Sequence, residues 1–320
     1  MYDAIIVGAG PAGTSAALFG NRLGLKTLLL DKSAFPRDKT CGDALSGKSV
    51  KILDDLDLLE GVNNLDGSII QRIIFANPKH SECELLLDKS LNKQHISHGY
   101  VIPRSIFDNY MFEKAKNVSD AEEGFTVNDL LFEGNRVIGV KGKSVDGSEK
   151  EFRGNLILGA DGPNSIVSKK VGLYQMDMDH TAVGIRCYYE NVKDLTDQIE
   201  LHYVEEINPG YFWIFPSGKN RANIGVGLLK SIVKKESRNL SEIMINIINS
   251  DNFKYRFSDA TLLEKPTGWN LPLGSIKRKN HGEGFLLLGD AAGLVDPFTG
   301  EGIGNAMVSG QIAAETSAQA

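Results

Sequence analysis

A glycine-rich turn near the N-terminus constrains this chain more than any other feature. Tyr2–Val7 (YDAIIV) is a short apolar run typical of a buried strand, and residues 8–13 (GAGPAG) follow at once. Residues 14–23 have the apolar spacing of a helix, and residues 26–30 are typical of a second strand. A strand, a glycine turn, a helix and a strand within roughly thirty residues predict the opening unit of a Rossmann fold.

Each glycine of this turn has a distinct predicted role. Gly8 makes the tight turn, Gly10 lets backbone N–H groups approach a pyrophosphate, and Gly13 lets the helix pack closely on the strand. The helix N-terminus adds positive potential toward the phosphates. Asp31 ends the second strand, eighteen residues beyond Gly13, where it can accept hydrogen bonds from ribose hydroxyls. The turn therefore predicts an adenine dinucleotide site.

Two later segments place an acidic residue after an apolar strand. Asp161-Gly162 follows one such strand, Asp290 follows another, and a glycine-rich turn then opens a helix at Gly302-Ile303. Asp290 can bond a ribityl chain, and the helix N-terminus at Gly302 would face the flavin edge where negative charge develops on reduction. In this order the segments resemble the flavoprotein fold typified by p-hydroxybenzoate hydroxylase, which implies FAD as the cofactor.

Three further segments resemble the geranylgeranyl reductase family. Residues 36–46 (PRDKTCGDALS) are similar to its cysteine-glycine loop, and residues 103–108 (PRSIFD) are similar to its R-x-x-F-D segment. Tyr211–Pro216 (YFWIFP), with Gly225 and Gly227 beyond it, resembles the YxWxFP…GxG motif of the substrate domain. The resemblance covers essentially the whole chain, although members of the family usually continue for many tens of residues past the last helix.

The resemblance implies roles for individual residues. The loop that carries Cys41 would pass beside the isoalloxazine, and Cys41 is the candidate catalytic residue. Further implied cofactor contacts are Cys41, Gly42, Ala44, Arg104 and Val127. The implied substrate contacts are Tyr211, Trp213, Phe215, Pro216, Gly225 and Gly227.

The residues themselves leave two of these roles open. Tyr211, Trp213 and Phe215 alternate, so on a strand they lie on one face. They either fill a core or wall an apolar slot suited to an isoprenoid chain. Cys41 is either a buried small hydrophobe or a reactive thiol, and its Gly-flanked polar loop favours a functional role that could be steric.

Composition excludes several classes of protein. Lys and Arg (35) against Asp and Glu (41) give a net charge of −6, which argues against a nucleic-acid partner. Three scattered cysteines fit no disulfide framework, and the six histidines lack metal-ligand spacing, so no metal is expected. The one close pair, His95 and His98, is typical of a solvated loop. With no long apolar run and no signal peptide, we expect a soluble, cytoplasmic protein with peripheral membrane contact at most.

The expected fold is α/β, with a Rossmann-type FAD-binding domain interleaved with a substrate domain built on an antiparallel sheet. The FAD-binding domain would comprise residues 1–60, 100–178 and 280–320. The substrate domain would comprise residues 61–99 and 179–279. The C-terminal part of the family pattern is absent from this sequence.

The implied activity is FAD-dependent reduction of C=C bonds in a prenyl chain on a lipid, quinone or pigment precursor. A flavin-dependent monooxygenase or halogenase on the same fold is the first alternative, and a non-catalytic flavin protein is the second. The sequence has one GxGxxG and no separate nicotinamide domain. The external reductant is therefore either transiently bound NADPH or a ferredoxin-type carrier protein.

Overall fold

The computed structural model describes residues 1–87 and 96–319, so His95 of the histidine pair lies outside the described residues. Within them the helices are α1 (Pro11–Arg22), α2 (Gly47–Asp55), α3 (Leu59–Asn63), α4 (Arg104–Lys116), α5 (Ile166–Lys170), α6 (Lys230–Lys235), α7 (Leu240–Ile248) and α8 (Ile303–Ser317). Short 3₁₀ turns occur at Met178–His180, Glu205–Ile207 and Gly289–Ala292.

The strands of the described residues follow the same chain order. They are β1 (Tyr2–Val7), β2 (Thr27–Asp31), β3 (Ala44–Leu45), β4 (Ser68–Ile70), β5 (Arg72–Ala76), β6 (Glu82–Leu86), β7 (Gly99–Val101), β8 (Asp120–Glu123), β9 (Thr126–Glu133), β10 (Arg136–Lys143), β11 (Glu149–Gly159), β12 (Thr181–Glu190), β13 (Gln198–His202), β14 (Tyr211–Pro216), β15 (Arg221–Leu229), β16 (Thr261–Leu262), β17 (Thr267–Pro272), β18 (His281–Gly282) and β19 (Phe285–Leu287).

The first large sheet has a parallel core with β1 at its centre. β1 pairs with β2 on one side and β11 on the other, and β8 and β19 extend the parallel set. β1 is apolar along its length because both of its faces are covered. Ala4 and Ile6 pack with α1, α4 and α8, whereas Ile5 and Val7 pack with β9, β10 and α5. This arrangement confirms the Rossmann-type prediction.

The second large sheet runs in the order β16-β12-β15-β14-β13-β5-β6, and β17 also pairs with β12. Its strands are antiparallel, as predicted, except that β13 and β5 are parallel. β14 has two different faces: Phe212 and Ile214 pack against Met244 and Ile247 of α7, and the alternate side chains face the opposite way. The sheet therefore presents a row of aromatic rings on the side away from α7.

A small third sheet consists of β3, β7 and β4, which pair in the order β3-β7-β4. The strands of the first large sheet fall within the residues predicted for the FAD-binding domain, and those of the second fall within the predicted substrate domain. The third sheet takes strands from both sets of residues, so we retain the predicted domain boundaries as a proposal. No helix in the described ranges combines the length and apolar character needed to cross a membrane.

Trp213 packs flat against the backbone of Gly225 on the neighbouring strand. A Cβ atom at Gly225 would lie 2.2 Å from Cζ2 of Trp213 and 2.3 Å from the carbonyl oxygen of Ile185. At Gly227, two residues further along, the nearest atom would be Cζ3 of Trp213 at 3.8 Å. Glycine is therefore sterically required at the first position and not at the second.

We predict that Gly225→Ala lowers the free energy of unfolding by about 1–3 kcal/mol, because the ring or the strand must move. Gly227→Ala is the matched control and should unfold like the wild type. Urea unfolding of the three proteins, followed by tryptophan fluorescence, measures the difference. Equal stabilities of the two variants would contradict the described packing of Trp213.

Candidate functional site

The glycine turn between β1 and α1 forms one wall of a groove. Gly8 has φ +104°, and a Cβ there would lie 2.4 Å from the carbonyl oxygen of Ala160. A Cβ on Gly13 would lie 1.8 Å from the carbonyl oxygen of Gly8, so Gly13 lets α1 pack against the turn. A Cβ on Gly10 would have only Nη2 of Arg37 nearby, at 3.7 Å, so this glycine leaves open space in front of the helix.

Asp31 ends β2 beside this turn. Its Oδ2 accepts a hydrogen bond from the backbone N–H of Ala9 at 2.7 Å, and its Oδ1 accepts one from Ser33 N–H at 2.8 Å. The carboxylate thus holds the glycine turn while it also lines the groove. Each carboxylate oxygen keeps further lone-pair sites for a ligand hydroxyl.

The groove is a cavity of about 500 Å³. Most of the predicted cofactor contacts line it, namely Gly8, Gly10, Asp31, Cys41, Arg104, Val127, Asp161, Gly162, Asp290, Gly302 and Ile303. Gly13 lies behind it in the helix packing. Gly42 and Ala44 line a second cavity instead, so their contact with the cofactor stays a prediction.

Two carboxylates stand at strand ends along the groove. Asp161 Oδ2 accepts a hydrogen bond from Ile166 N–H at 2.6 Å at the start of α5, while its buried Oδ1 has no partner among the described residues. Burial raises the pKa of Asp161 despite these hydrogen bonds. Asp290 Oδ2 lies 3.0 Å from Nζ of Lys39. Asp161 Oδ1 is therefore a buried acceptor that a ligand could satisfy.

Arg104 is buried behind the groove with a carboxylate partner. Its Nε and Nη2 donate to the two oxygens of Asp108 at 2.6 and 2.7 Å, and Arg37 Nη1 lies 3.0 Å from the same carboxylate. Burial opposes the charge of Arg104, but Asp108 and the Cys41 side chain outweigh that effect and raise the pKa of Arg104 above its ordinary value. Two guanidinium groups thus share one carboxylate at this side of the groove.

Arg37 and Lys39 line the groove, although the sequence analysis did not assign them to the site. Both lie in the segment that resembles the family's cysteine-glycine loop. The resemblance placed this segment beside the cofactor, but it did not show which of its side chains face the groove. Arg37 brings positive charge close to Gly10 at the N-terminus of α1, where a phosphate is favoured, whereas Lys39 is paired with Asp290.

The second cavity is apolar, has a volume of about 560 Å³ and lies over the aromatic face of β14. The ring centroids of Tyr211 and Trp213 are 6.0 Å apart, and those of Trp213 and Phe215 are 6.1 Å apart. These three rings and Gly227 line the cavity. Pro216 and Gly225 are not among the residues that line it, so their contact with the substrate stays a prediction.

The two cavities share part of their walls. The residues that line both are Thr40, Cys41, Trp269, Leu271, Gly300, Gly302 and Ile303. Cys41 and Gly302 come from distant parts of the chain, and both were predicted from motifs. A planar group held at this junction would therefore contact a ligand in either cavity.

Asn223, which the sequence analysis missed, connects the aromatic face with the cysteine loop. It is fully buried on β15 and accepts a hydrogen bond from Trp213 Nε1 at 2.9 Å. Its amide nitrogen donates to the carbonyl oxygen of Cys41 at 2.7 Å and to Asp43 Oδ2 at 2.8 Å. No local sequence signal distinguishes this asparagine from others in strands.

The carboxyl group of Asp43 is fully buried at the second cavity. Oδ2 accepts hydrogen bonds from Asn223 and from the hydroxyl of Tyr188. Burial raises the pKa of Asp43 to about 6, against the opposing effect of Tyr188, Asn223 and the charges of Arg186 and Arg104. Near neutral pH this side chain therefore exchanges between its neutral and charged forms.

The groove fits the FAD that the sequence motifs predict. The space in front of Gly10, the guanidinium of Arg37 beside it and the buried oxygen of Asp161 that has no partner among the described residues suit a dinucleotide with ribose and ribityl hydroxyls. The residues that would hold it are those of the groove, from Asp31 at the adenosine end to Gly302 at the junction of the cavities.

Comparisons with known proteins agree with this fit. Residues 1–311 match the family described as the FAD binding domain. The chain is 31% identical to digeranylgeranylglycerophospholipid reductase 1 of Methanopyrus kandleri, over the whole chain and 81% of that protein. It is also 31% identical to digeranylgeranylglycerophospholipid reductase 2 of Methanococcoides burtonii, over the whole chain and 75% of that protein.

Two solved structures share the fold. A geranylgeranyl bacteriochlorophyll reductase-like protein of Thermoplasma acidophilum superposes with a TM-score of 0.88 at 24% identity, over 99% of this chain and 78% of that one. The flavin-dependent brominase Bmp2 superposes with a TM-score of 0.83 at 25% identity, over 99% of this chain and 79% of that one. The chain belongs to the FAD binding domain family and, within it, to the geranylgeranyl reductases that its motifs predicted.

Proposed function

We propose that this protein is an FAD-dependent reductase that hydrogenates C=C bonds in the geranylgeranyl-type chains of a lipid. The observation that carries the proposal is the junction of an apolar cavity with the FAD groove at Cys41 and Gly302. Relatives about 30% identical over the whole chain are named digeranylgeranylglycerophospholipid reductases. Their name gives the substrate class of the proposal.

The chemistry explains why the cavity is apolar. When bound, reduced FAD supplies a hydride, and the other alkene carbon must receive a proton. An isolated alkene is a poor hydride acceptor, so the chain must be held close to the cofactor with water excluded. Tyr211, Trp213 and Phe215 offer an aromatic wall that binds an isoprenoid chain through burial of apolar surface.

A flavin-dependent halogenase or monooxygenase remains the second candidate function, because the brominase Bmp2 shares the fold. The two activities differ in what reoxidises the reduced flavin: a prenyl chain in the reductase, and oxygen in the halogenase. Anaerobic reoxidation by a prenyl lipid is therefore the experiment that separates them.

The partners follow from the same proposal. The substrate is an isoprenoid lipid, and the electron donor is NADPH or a ferredoxin-type protein. Phe298 lines the apolar cavity and is 67% exposed, so the cavity reaches the surface beside an exposed aromatic side chain. This position supports peripheral contact with a membrane as the route of the lipid.

The first prediction from the proposed function concerns cofactor retention. Gly10→Val should abolish FAD binding because its side chain would occupy the space in front of the helix, while the apoprotein keeps its stability since little else lies near that position. Titration with FAD, followed by quenching of flavin fluorescence, measures binding, and thermal unfolding of the apoproteins measures stability. A variant that binds FAD like the wild type would place the pyrophosphate elsewhere.

The second prediction concerns the aromatic wall. Trp213→Ala should weaken binding of a geranylgeranyl lipid by about 2–4 kcal/mol, from lost apolar burial and an enlarged cavity. The measurement is anaerobic reoxidation of the reduced holoenzyme at increasing lipid concentration. Phe132→Ala removes an exposed aromatic side chain of β9 and should behave like the wild type. A wild type that reacts with oxygen but never with the lipid would favour the halogenase.

The third prediction concerns Cys41. Cys41→Ala should leave FAD affinity nearly unchanged and alter the rate of lipid-dependent reoxidation, because the residue borders both cavities. FAD titration and the anaerobic assay, run on the same preparation, separate the two effects. Parallel loss of both would make Cys41 a cofactor-binding residue alone.

A further inference from the structure

Hydrogenation of an alkene needs an acid as well as a hydride donor, and the proposed function leaves that acid unassigned. Three carboxyl groups of the described residues line the apolar cavity: Asp43, Asp296 and Glu301. An acid must hold a proton near neutral pH and must lie where the chain binds. The surroundings of the three groups differ in these respects.

Asp296 and Glu301 are already engaged as acceptors or ion pairs. Asp296 Oδ1 accepts hydrogen bonds from Thr299 N–H at 2.8 Å and Phe298 N–H at 3.1 Å. Although burial opposes them, these hydrogen bonds lower the pKa of Asp296. Glu301 accepts a hydrogen bond from Ser46 and lies 3.6 Å from Nζ of Lys48. Asp296 is therefore a poor source of a proton, and the carboxylate of Glu301 is already engaged by Ser46 and Lys48.

The tyrosines of the cavity are weaker acids still. The hydroxyl of Tyr211 donates to the carbonyl oxygen of Thr299 at 2.6 Å, which fixes its proton away from a ligand. The hydroxyl of Tyr100, which also lines the cavity, donates to Asn63 Oδ1 at 2.6 Å. Burial raises the pKa of Tyr211, Tyr203 and Tyr100 above that of an ordinary phenol. None of the three matches the neutral operating range of an efficient general acid.

Asp43 differs from these groups in being fully buried with one carboxyl oxygen left without a partner among the described residues. Its carboxyl group is fully buried, Oδ2 accepts two hydrogen bonds, and Oδ1 has no partner in the described part of the chain.

We propose that Asp43 is the acid that protonates the alkene in the reduction assigned above, an inference that rests on the proposed function. The π bond of the alkene breaks as one carbon accepts a hydride from the reduced cofactor and the other accepts the carboxyl proton of Asp43. Two C–H bonds form, FAD is left oxidised by two electrons, and Asp43 is left as a carboxylate. The two electrons come from the external donor that reduced FAD beforehand.

The groups around Asp43 suit both halves of this cycle. Arg186 on β12 and Arg104 on α4 favour the carboxylate that remains after proton transfer, as do the hydrogen bonds from Tyr188 and Asn223. Burial favours the neutral acid before transfer. Tyr188 is only half-buried and donates its hydroxyl to Asp43, so it offers a route by which the carboxylate regains a proton from water.

Asp43→Asn is the sharpest variant because its amide oxygen can accept the hydrogen bonds from Tyr188 and Asn223, yet it has no acidic proton. A first experiment needs no turnover. The wild type keeps the stability contributed by the neutral carboxyl below about pH 4 and loses it as pH rises through about 6, since burial raises the folded-state pKa of Asp43 above the ordinary 3.8. The thermal midpoint of Asp43→Asn relative to the wild type should therefore rise across this pH range.

A second experiment follows the reaction. FAD-loaded protein is reduced with dithionite under anaerobic conditions and mixed with di-O-geranylgeranylglyceryl phosphate in micelles at pH 5–9. The wild-type rate should fall above about pH 6, and Asp43→Asn should be slower by roughly 10²–10⁴-fold with that pH dependence lost. Tyr188→Phe removes a hydrogen bond that favours the carboxylate. The pH above which the rate of this variant falls should therefore be higher than in the wild type.

Asp129→Asn, at an exposed ion pair with Lys170, is the control and should leave the rate and its pH profile unchanged. An Asp43→Asn protein that reacts at the wild-type rate, or more slowly with an unchanged pH profile, overturns the assignment of the acid while the proposed function stands. A relative thermal midpoint that does not vary with pH also overturns it. A wild type that never reoxidises with the lipid overturns the proposed function, and the assignment with it.

Discussion

The three hydrogen bonds of the Asn223 carboxamide hold the aromatic strand and the cysteine loop in one arrangement. Its oxygen accepts from Trp213, and its nitrogen donates to the Cys41 carbonyl and to Asp43. A buried polar group left without partners costs about 1–3 kcal/mol, so each of these bonds resists being broken by itself. The position of the loop at the junction of the cavities and the orientation of the indole ring are consequently set by the same side chain.

The charge of Arg186, which lies next to this hydrogen-bond network, is a second constraint. Arg186 is fully buried, forms ion pairs with Asp38 and Glu264, and lies 4.5 Å from the ring centroid of Tyr188. Asp38 and Glu264 are exposed to solvent, so water screens these ion pairs and they add little to stability. Their effect here is electrostatic, since Arg186 limits how far burial can raise the pKa of Asp43.

The parts of the structure that the sequence predicted depend on local spacing. The glycine turn, the alternation in Tyr211–Pro216 and the helix that opens at Gly302-Ile303 each follow from residues within about ten positions of one another. Asn223 and Asp43 escaped prediction because their roles depend on a contact between residues 180 positions apart. Gly42 and Ala44 were assigned to the cofactor by resemblance, but which cavity a loop residue lines is decided by how the two sheets face each other.

Close helix packing explains why so many small residues are needed around the FAD groove. A Cβ on Gly310 of α8 would lie 2.3 Å from the carbonyl oxygen of Ala12 on α1, so the two helices can touch only through glycine there. Both helices begin at a glycine without a side-chain cap, Gly10 and Gly302, and both of these line the groove. The dipoles of both helices would therefore favour a bound FAD, with the pyrophosphate near one N-terminus and the electron-rich reduced flavin near the other. A larger residue at the helix contact would separate the two helix ends and weaken both interactions at once.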